Sequence, residues 1–84
     1  MIIPDINLLV YAYNSDAPFH DESKAWFEDR LSGRMTVGLP WVVLLGFIRI
    51  MSSNVVLTAP MEPLEAAGHV KSWLAQPQTQ IVVP

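Results

Sequence analysis

Among the 84 residues, one carboxylate stands in an unusual place. Asp5 lies in the first apolar run, between Ile3-Pro4 and Ile6, where an ionised acid is costly to bury without a partner. At the C-terminal edge of a parallel strand it would stand where α/β folds place their active sites. Asn7, two residues on, carries a carboxamide able to orient a ligand or a water. Together they make half of a hard-cation site. Mg²⁺ takes oxygen ligands, keeps several waters, and needs only one or two protein carboxylates beside a substrate phosphate. The same two residues are also good helix caps, and pattern alone leaves both readings open.

Other chemistry is scarce. There are no cysteines, which excludes disulfides, thiolate metal sites and thiol catalysis. No zinc-protease, phosphate-loop, dinucleotide or nucleophile-elbow motif occurs. His20 and His69 each stand alone, His20 at an exposed helix start and His69 within a helix, and neither is assigned a chemical role. Trp26, Trp41 and Trp73 fall at helical spacings and are read as core, with an oligomer interface as the alternative. Asp16, Asp21, Glu22, Glu28, Asp29, Glu62 and Glu65 are read as solubility charge.

Five basic and eight acidic residues give a formal charge of −3, so bulk electrostatics do not advertise duplex binding, although small local basic patches are compatible with it. Hydrophobic residues make up 51% of the chain and charged ones only 15%, below the usual quarter. Either apolar surface is exposed or something outside this chain covers it. No uncharged apolar stretch is long enough to span a membrane. The first ten residues lack a basic region and carry Asp5, unlike a signal peptide, so a cytoplasmic location is expected.

The elements that must position Asp5 follow from periodicity. Ile2 to about Asp5 reads as a strand, broken by Pro4, which lacks a backbone donor. A tight turn and a short helix follow through Tyr13. Asn14 to Pro18 is a loop. Phe19 to Leu31 is the clearest helix, with Phe19, Ser23, Trp26, Phe27 and Leu31 on its apolar stripe. Acids early and Arg30 late suit the helix dipole, and Gly33 stops it. Met35 to Leu39 is a strand, and Pro40 to Met51 a mostly buried helix. Pro63 to Ala75 is another helix, with Leu64, Ala67, Val70 and Leu74 inward. Thr79 to Val83 is a third strand. The order β-α-α-β-α-α-β indicates an α/β layer fold with a parallel sheet. Three strands and an end directly after an apolar strand suggest residues 1–84 are the N-terminal part of a larger single domain.

Ile3-Pro4-Asp5-Ile6-Asn7-Leu8-Leu9-Val10-Tyr11-Ala12 closely resembles the start of a PIN-domain ribonuclease, specifically the VapC-like toxins of bacterial toxin–antitoxin pairs. The helix with Trp26 resembles the next element. Leu39-Pro40-Trp41-Val42-Val43-Leu44-Leu45-Gly46-Phe47-Ile48-Arg49 resembles the following block, and Trp73-Leu74 with the tail from Pro77 to Pro84 the one after. The resemblance covers essentially the whole chain but only about the first two thirds of a family domain. It implies a PIN-like α/β/α sandwich around a mostly parallel sheet, here truncated. It also implies RNA cleavage with Mg²⁺ or Mn²⁺ held by several acids, and a cognate antitoxin as partner. Asp5 matches the first metal-binding carboxylate and Asn7 a polar residue that orders the site. Gly46 stands where many relatives have a glutamate. Arg49 matches a basic residue that contacts substrate, the antitoxin or a neighbouring acid. The family's further aspartates have no counterpart here.

Three readings follow. The first is an endoribonuclease whose chemistry is incomplete within these residues. The second is a non-catalytic remnant that dimerises or binds an antitoxin. The third is an unrelated small α/β domain whose Asp5 is only a cap. The unpaired apolar edges that truncation would leave predict homo-oligomers.

Overall fold

The computed structural model describes residues 1–83; Pro84 lies outside the described residues. The elements are α1 (Ile6–Tyr13), α2 (His20–Leu31), β1 (Val37–Pro40), α3 (Trp41–Met51), α4 (Pro63–Leu74) and β2 (Thr79–Val82). The expected first strand is reduced to one bridge, in which Ile2 pairs with Val37 in parallel. Its N–H donates to the Thr36 carbonyl at 2.8 Å, and the Gly38 N–H donates to the Ile2 carbonyl at 2.7 Å. Pro4 cannot extend this ladder and is buried instead. β1 and β2 pair in parallel, with Val37 opposite Thr79 and Pro40 opposite Val82. Spatial order across the sheet is therefore Ile2, β1, β2, and this is the expected parallel α/β architecture.

Both crossovers advance in the same direction. All four helices contribute side chains to one core layer against β1. Val37 and Leu39 point into that layer and are fully buried. Gly38 points the other way, beneath Met1 and Val82; a Cβ there would lie 2.6 Å from Met1 Sδ and 2.9 Å from Val82 Cγ2. Only glycine lets both side chains close over the strand.

The helix layer is held by an aromatic cluster drawn from every helix. Tyr13 of α1 lies 5.6 Å from Phe47 of α3 and 5.4 Å from Trp73 of α4, measured between ring centroids. Phe27 of α2 meets Trp73 edge-on at 5.2 Å. The Trp73 indole N–H donates to the Tyr13 hydroxyl at 2.8 Å. That bond sets the rotation of α4. Ala66, Val70 and Trp73 become its buried stripe, and Leu64, expected inward, is 87% exposed. Ala67 and Leu74 lie on the flank, half-buried.

Three other expectations change. Phe19 is not on the buried stripe of α2. It precedes the helix in a left-handed conformation at φ 61° and is exposed. His20 is half-buried, donating from Nδ1 to the Tyr11 carbonyl at 2.8 Å, which fastens the start of α2 to α1. Of the three tryptophans only Trp73 is core. Trp26 is half-buried with the Arg30 guanidinium 5.3 Å from its ring, and Trp41 is exposed at the start of α3.

Burial raises the pKa of the Tyr13 phenol, outweighing the lowering effect of the Trp73 hydrogen bond. The folded state thus holds this proton above the ordinary value of 10.0, while the unfolded chain releases it near that pH. Tyr13 leaves stability level below that value and lowers it as pH rises beyond it. Tyr13→Phe is expected to cost about 1 kcal/mol at neutral pH and to reduce the alkaline decline. Urea unfolding at neutral and alkaline pH checks both; an unchanged alkaline slope would remove Tyr13 as its source.

Candidate functional site

Asp5 occupies the N-cap position of α1, with extended backbone at φ −72° and ψ 149°. Its backbone carbonyl accepts from the Leu8 and Leu9 N–H groups at 3.1 and 3.3 Å. Its side chain makes no capping hydrogen bond and is exposed. The backbone thus starts the helix while the carboxylate stays free. Among the described residues the one ion pair is Arg30 with Asp29, so nothing described neutralises Asp5. The simple cap reading does not describe what its carboxylate does.

Asn7 stands in the first turn of α1 and is exposed. It borders a cleft of about 480 Å³ between α1, the loop after it, and the segment following α3. Its lining mixes polar Tyr11, Asn14, Asp16 and Thr58 with apolar residues, of which Val10 and Leu57 are buried and Val56 is exposed. Asn7 and Tyr11 lie one turn apart on one side of α1, and Asn14 is its C-cap, with extended backbone.

Arg49 is elsewhere. It sits in the last turn of α3 beside a wide apolar groove of about 710 Å³, bordered by Trp41, Val42, Leu45, Val82 and Val83. Asp5 borders neither concavity. The three residues singled out in the sequence are therefore not gathered into one pocket. Asp5 and Asn7 share the start of α1, while Arg49 stands one turn beyond Gly46 on α3.

Gly46 borders the same groove as Arg49. It is buried in α3, and a Cβ there would lie 2.5 Å from Ile6 Cδ1, the residue between Asp5 and Asn7. This glycine lets α3 approach the first turn of α1. No group of three or more His, Asp or Glu residues is placed to hold a metal among the described residues. Asp5 offers one hard oxygen ligand. The described residues do not form a complete Mg²⁺ or Mn²⁺ site. The cleft was not legible in the sequence, because Val56 to Thr58 come from a loop without periodicity. The recurrence of polar residues at 7, 11 and 14 was the one available signal.

Curated relatives of this chain include three ribonucleases. Ribonuclease VapC33 of Mycobacterium tuberculosis is 43% identical over 82 residues, covering 98% of this chain and 57% of the relative. Ribonuclease VapC37 of the same organism is 37% identical over 84 residues, covering 100% and 58%. VapC ribonuclease Mb2897 of Mycobacterium bovis is 34% identical over 84 residues, covering 100% and 57%. No protein-family model matches the chain. With the parallel α/β fold, these similarities identify the chain as belonging to the VapC-like PIN-domain family. The chain spans somewhat more than half the length of the curated relatives it matches. None of its described helices is long and apolar enough to cross a membrane.

The glycine at 46 generates a stability prediction. Ile6 Cδ1 is the far end of a flexible, half-buried side chain, and alanine gains about 1 kcal/mol over glycine in a helix interior. Gly46→Ala is therefore expected to be neutral or stabilising by up to about 1 kcal/mol in urea unfolding. A clear loss of stability would mean that Ile6 is pinned and that the close approach of α1 and α3 is rigid.

Proposed function

We propose that this chain is the N-terminal part of a divalent-metal-dependent endoribonuclease of the VapC type, a toxin acting on RNA and controlled by a cognate antitoxin in the cytoplasm. The observation that carries the reading is the free carboxylate of Asp5, exposed and unpaired among the described residues at the start of α1, in a chain 43% identical to a ribonuclease. In this reading Asp5 is a metal ligand, and Asn7 orders water or substrate beside it. Arg49, one turn beyond Gly46 on α3, contacts RNA or the antitoxin. The remaining ligands come from residues that this chain does not contain, and the 84 residues alone are inactive or nearly so. Hydrolysis needs a cation to activate water and offset charge on the phosphate, and a single carboxylate binds one weakly.

Paramagnetic Mn²⁺ tests the assignment without requiring turnover. Amide signals of Asp5, Ile6 and Asn7 are expected to broaden first on titration, and Asp5→Asn is expected to abolish the effect. Gly46→Glu, which adds a carboxylate beside Ile6, is expected to tighten binding several-fold. Broadening centred instead on the acids of α2 would remove Asp5 from the metal site.

A protein-interaction role is favoured by a separate observation. Val42 and Leu45 on α3 are 76% and 60% exposed, and with Trp41, Val82 and Val83 they border the apolar groove. Such a surface suits an interface with an aromatic anchor. In this second reading it joins two copies of the chain. Sedimentation is expected to show a dimer, and Leu45→Glu a folded monomer. A monomeric wild type would end this reading.

A further inference from the structure

From the cleft beside Asn7 we infer a binding site for a single unstacked guanine base of RNA. The inference rests on the ribonuclease reading and adds a specificity site to it. The cleft volume, about 480 Å³, falls in the range of roughly 300–1,000 Å³ that holds small organic groups. Its buried lining residues, Val10 and Leu57, are apolar, and its exposed ones include polar Asn7, Asp16 and Thr58 beside apolar Val56 and Pro18. A flat heterocycle with an apolar face and a hydrogen-bonding edge fits that division. None of the bordering residues is basic and one, Asp16, is acidic. The cleft therefore repels phosphate and suits an uncharged base, the part of single-stranded RNA that proteins read once it is splayed out.

The rim chemistry selects among bases. Asn14 Oδ1 accepts the Asp16 backbone N–H at 3.1 Å, which turns the Asn14 amide so that its NH₂ is left to donate. The Asp16 carboxylate is an acceptor only. Guanine alone presents two adjacent donors, N1–H and the 2-amino group, to such a carboxylate, with O6 beside them as acceptor for a donor such as Asn14. Adenine and cytosine set a ring nitrogen lone pair next to their amino group, and uracil flanks its one N–H with carbonyls. In these, the second carboxylate oxygen meets an acceptor. Tyr11 and Thr58 also line the cleft. Asn7 belongs both to the cleft and to the first turn of α1, one residue beyond Ile6 and two beyond Asp5.

The test maps binding in EDTA, where no metal-dependent cleavage occurs. A ¹⁵N-labelled sample is titrated with a single-stranded RNA octamer carrying two guanines, and separately with the same octamer carrying adenines in their place. The amides of Asn7, Asn14, Asp16 and Thr58 are expected to shift with the first. Affinity for the second is expected to be roughly tenfold lower, the scale of one bidentate base contact. Asp16→Asn, nearly isosteric at an exposed position, is expected to keep the fold and lose the preference. Equal binding of the two octamers, shifts confined to other surfaces, or no shifts at all would each overturn the inference. Cleft amides that move with an arginine-bearing peptide and not with RNA would overturn it too and reassign the cleft to a protein partner. The Mn²⁺ titration reports on Asp5 independently, so loss of the guanine site and loss of the nuclease reading are separable.

Discussion

The hydrogen bond from the Trp73 indole to the Tyr13 hydroxyl joins residues sixty positions apart, and the arrangement of the helices follows from it. Trp73 is almost wholly buried, and its polar edge requires a partner there. Tyr13 supplies one at the end of α1. Phe27 and Phe47 close around the pair from α2 and α3. The same tryptophan reaches the sheet, because its backbone carbonyl accepts from the Thr79 hydroxyl at 2.8 Å. One side chain thereby sets the rotation of α4, and its own backbone the entry of β2.

That arrangement frees the start of α1 from structural duty. α1 is secured at its far end by Tyr13 and along its length by buried Leu9, Val10 and Ala12. Its first turn needs no side-chain cap, so the Asp5 carboxylate remains available. The close approach of α3 at Gly46 brings a second helix beside this turn without adding a charge. The result is a well-supported but chemically sparse position, consistent with one ligand of a larger site.

Much of the fold could be read from periodicity and punctuation. Proline at 40 and 63, glycine at 33 and the polar turn at 14–18 mark boundaries close to those observed. Helix rotation was harder to read. On α4, Leu64 and Trp73 compete for the interior, and the larger ring with a polar edge won because Tyr13 was there to receive it. Trp41 reads as core from its helical spacing, with an interface as the alternative, and it opens α3 at the edge of a groove. Asp5 was legible as a candidate because a lone acid in an apolar strand is conspicuous. Its partners in space were not, since Gly46 and the loop at 56–58 arrive by tertiary packing and have no local pattern.

The sheet order has a consequence for how the chain acquires its structure. Ile2, β1 and β2 follow one another across the sheet in the order in which they occur along the chain. Each strand can dock on its predecessor as synthesis proceeds from the N-terminus, with no later strand needing to insert between earlier ones. The aromatic cluster does not share this property. Tyr13, Phe27 and Phe47 wait for the last helix to bring Trp73. Assembly is stepwise in the sheet and late-locking in the helices, so a nascent chain ending before α4 would carry its apolar surface uncovered and be a natural client for chaperones.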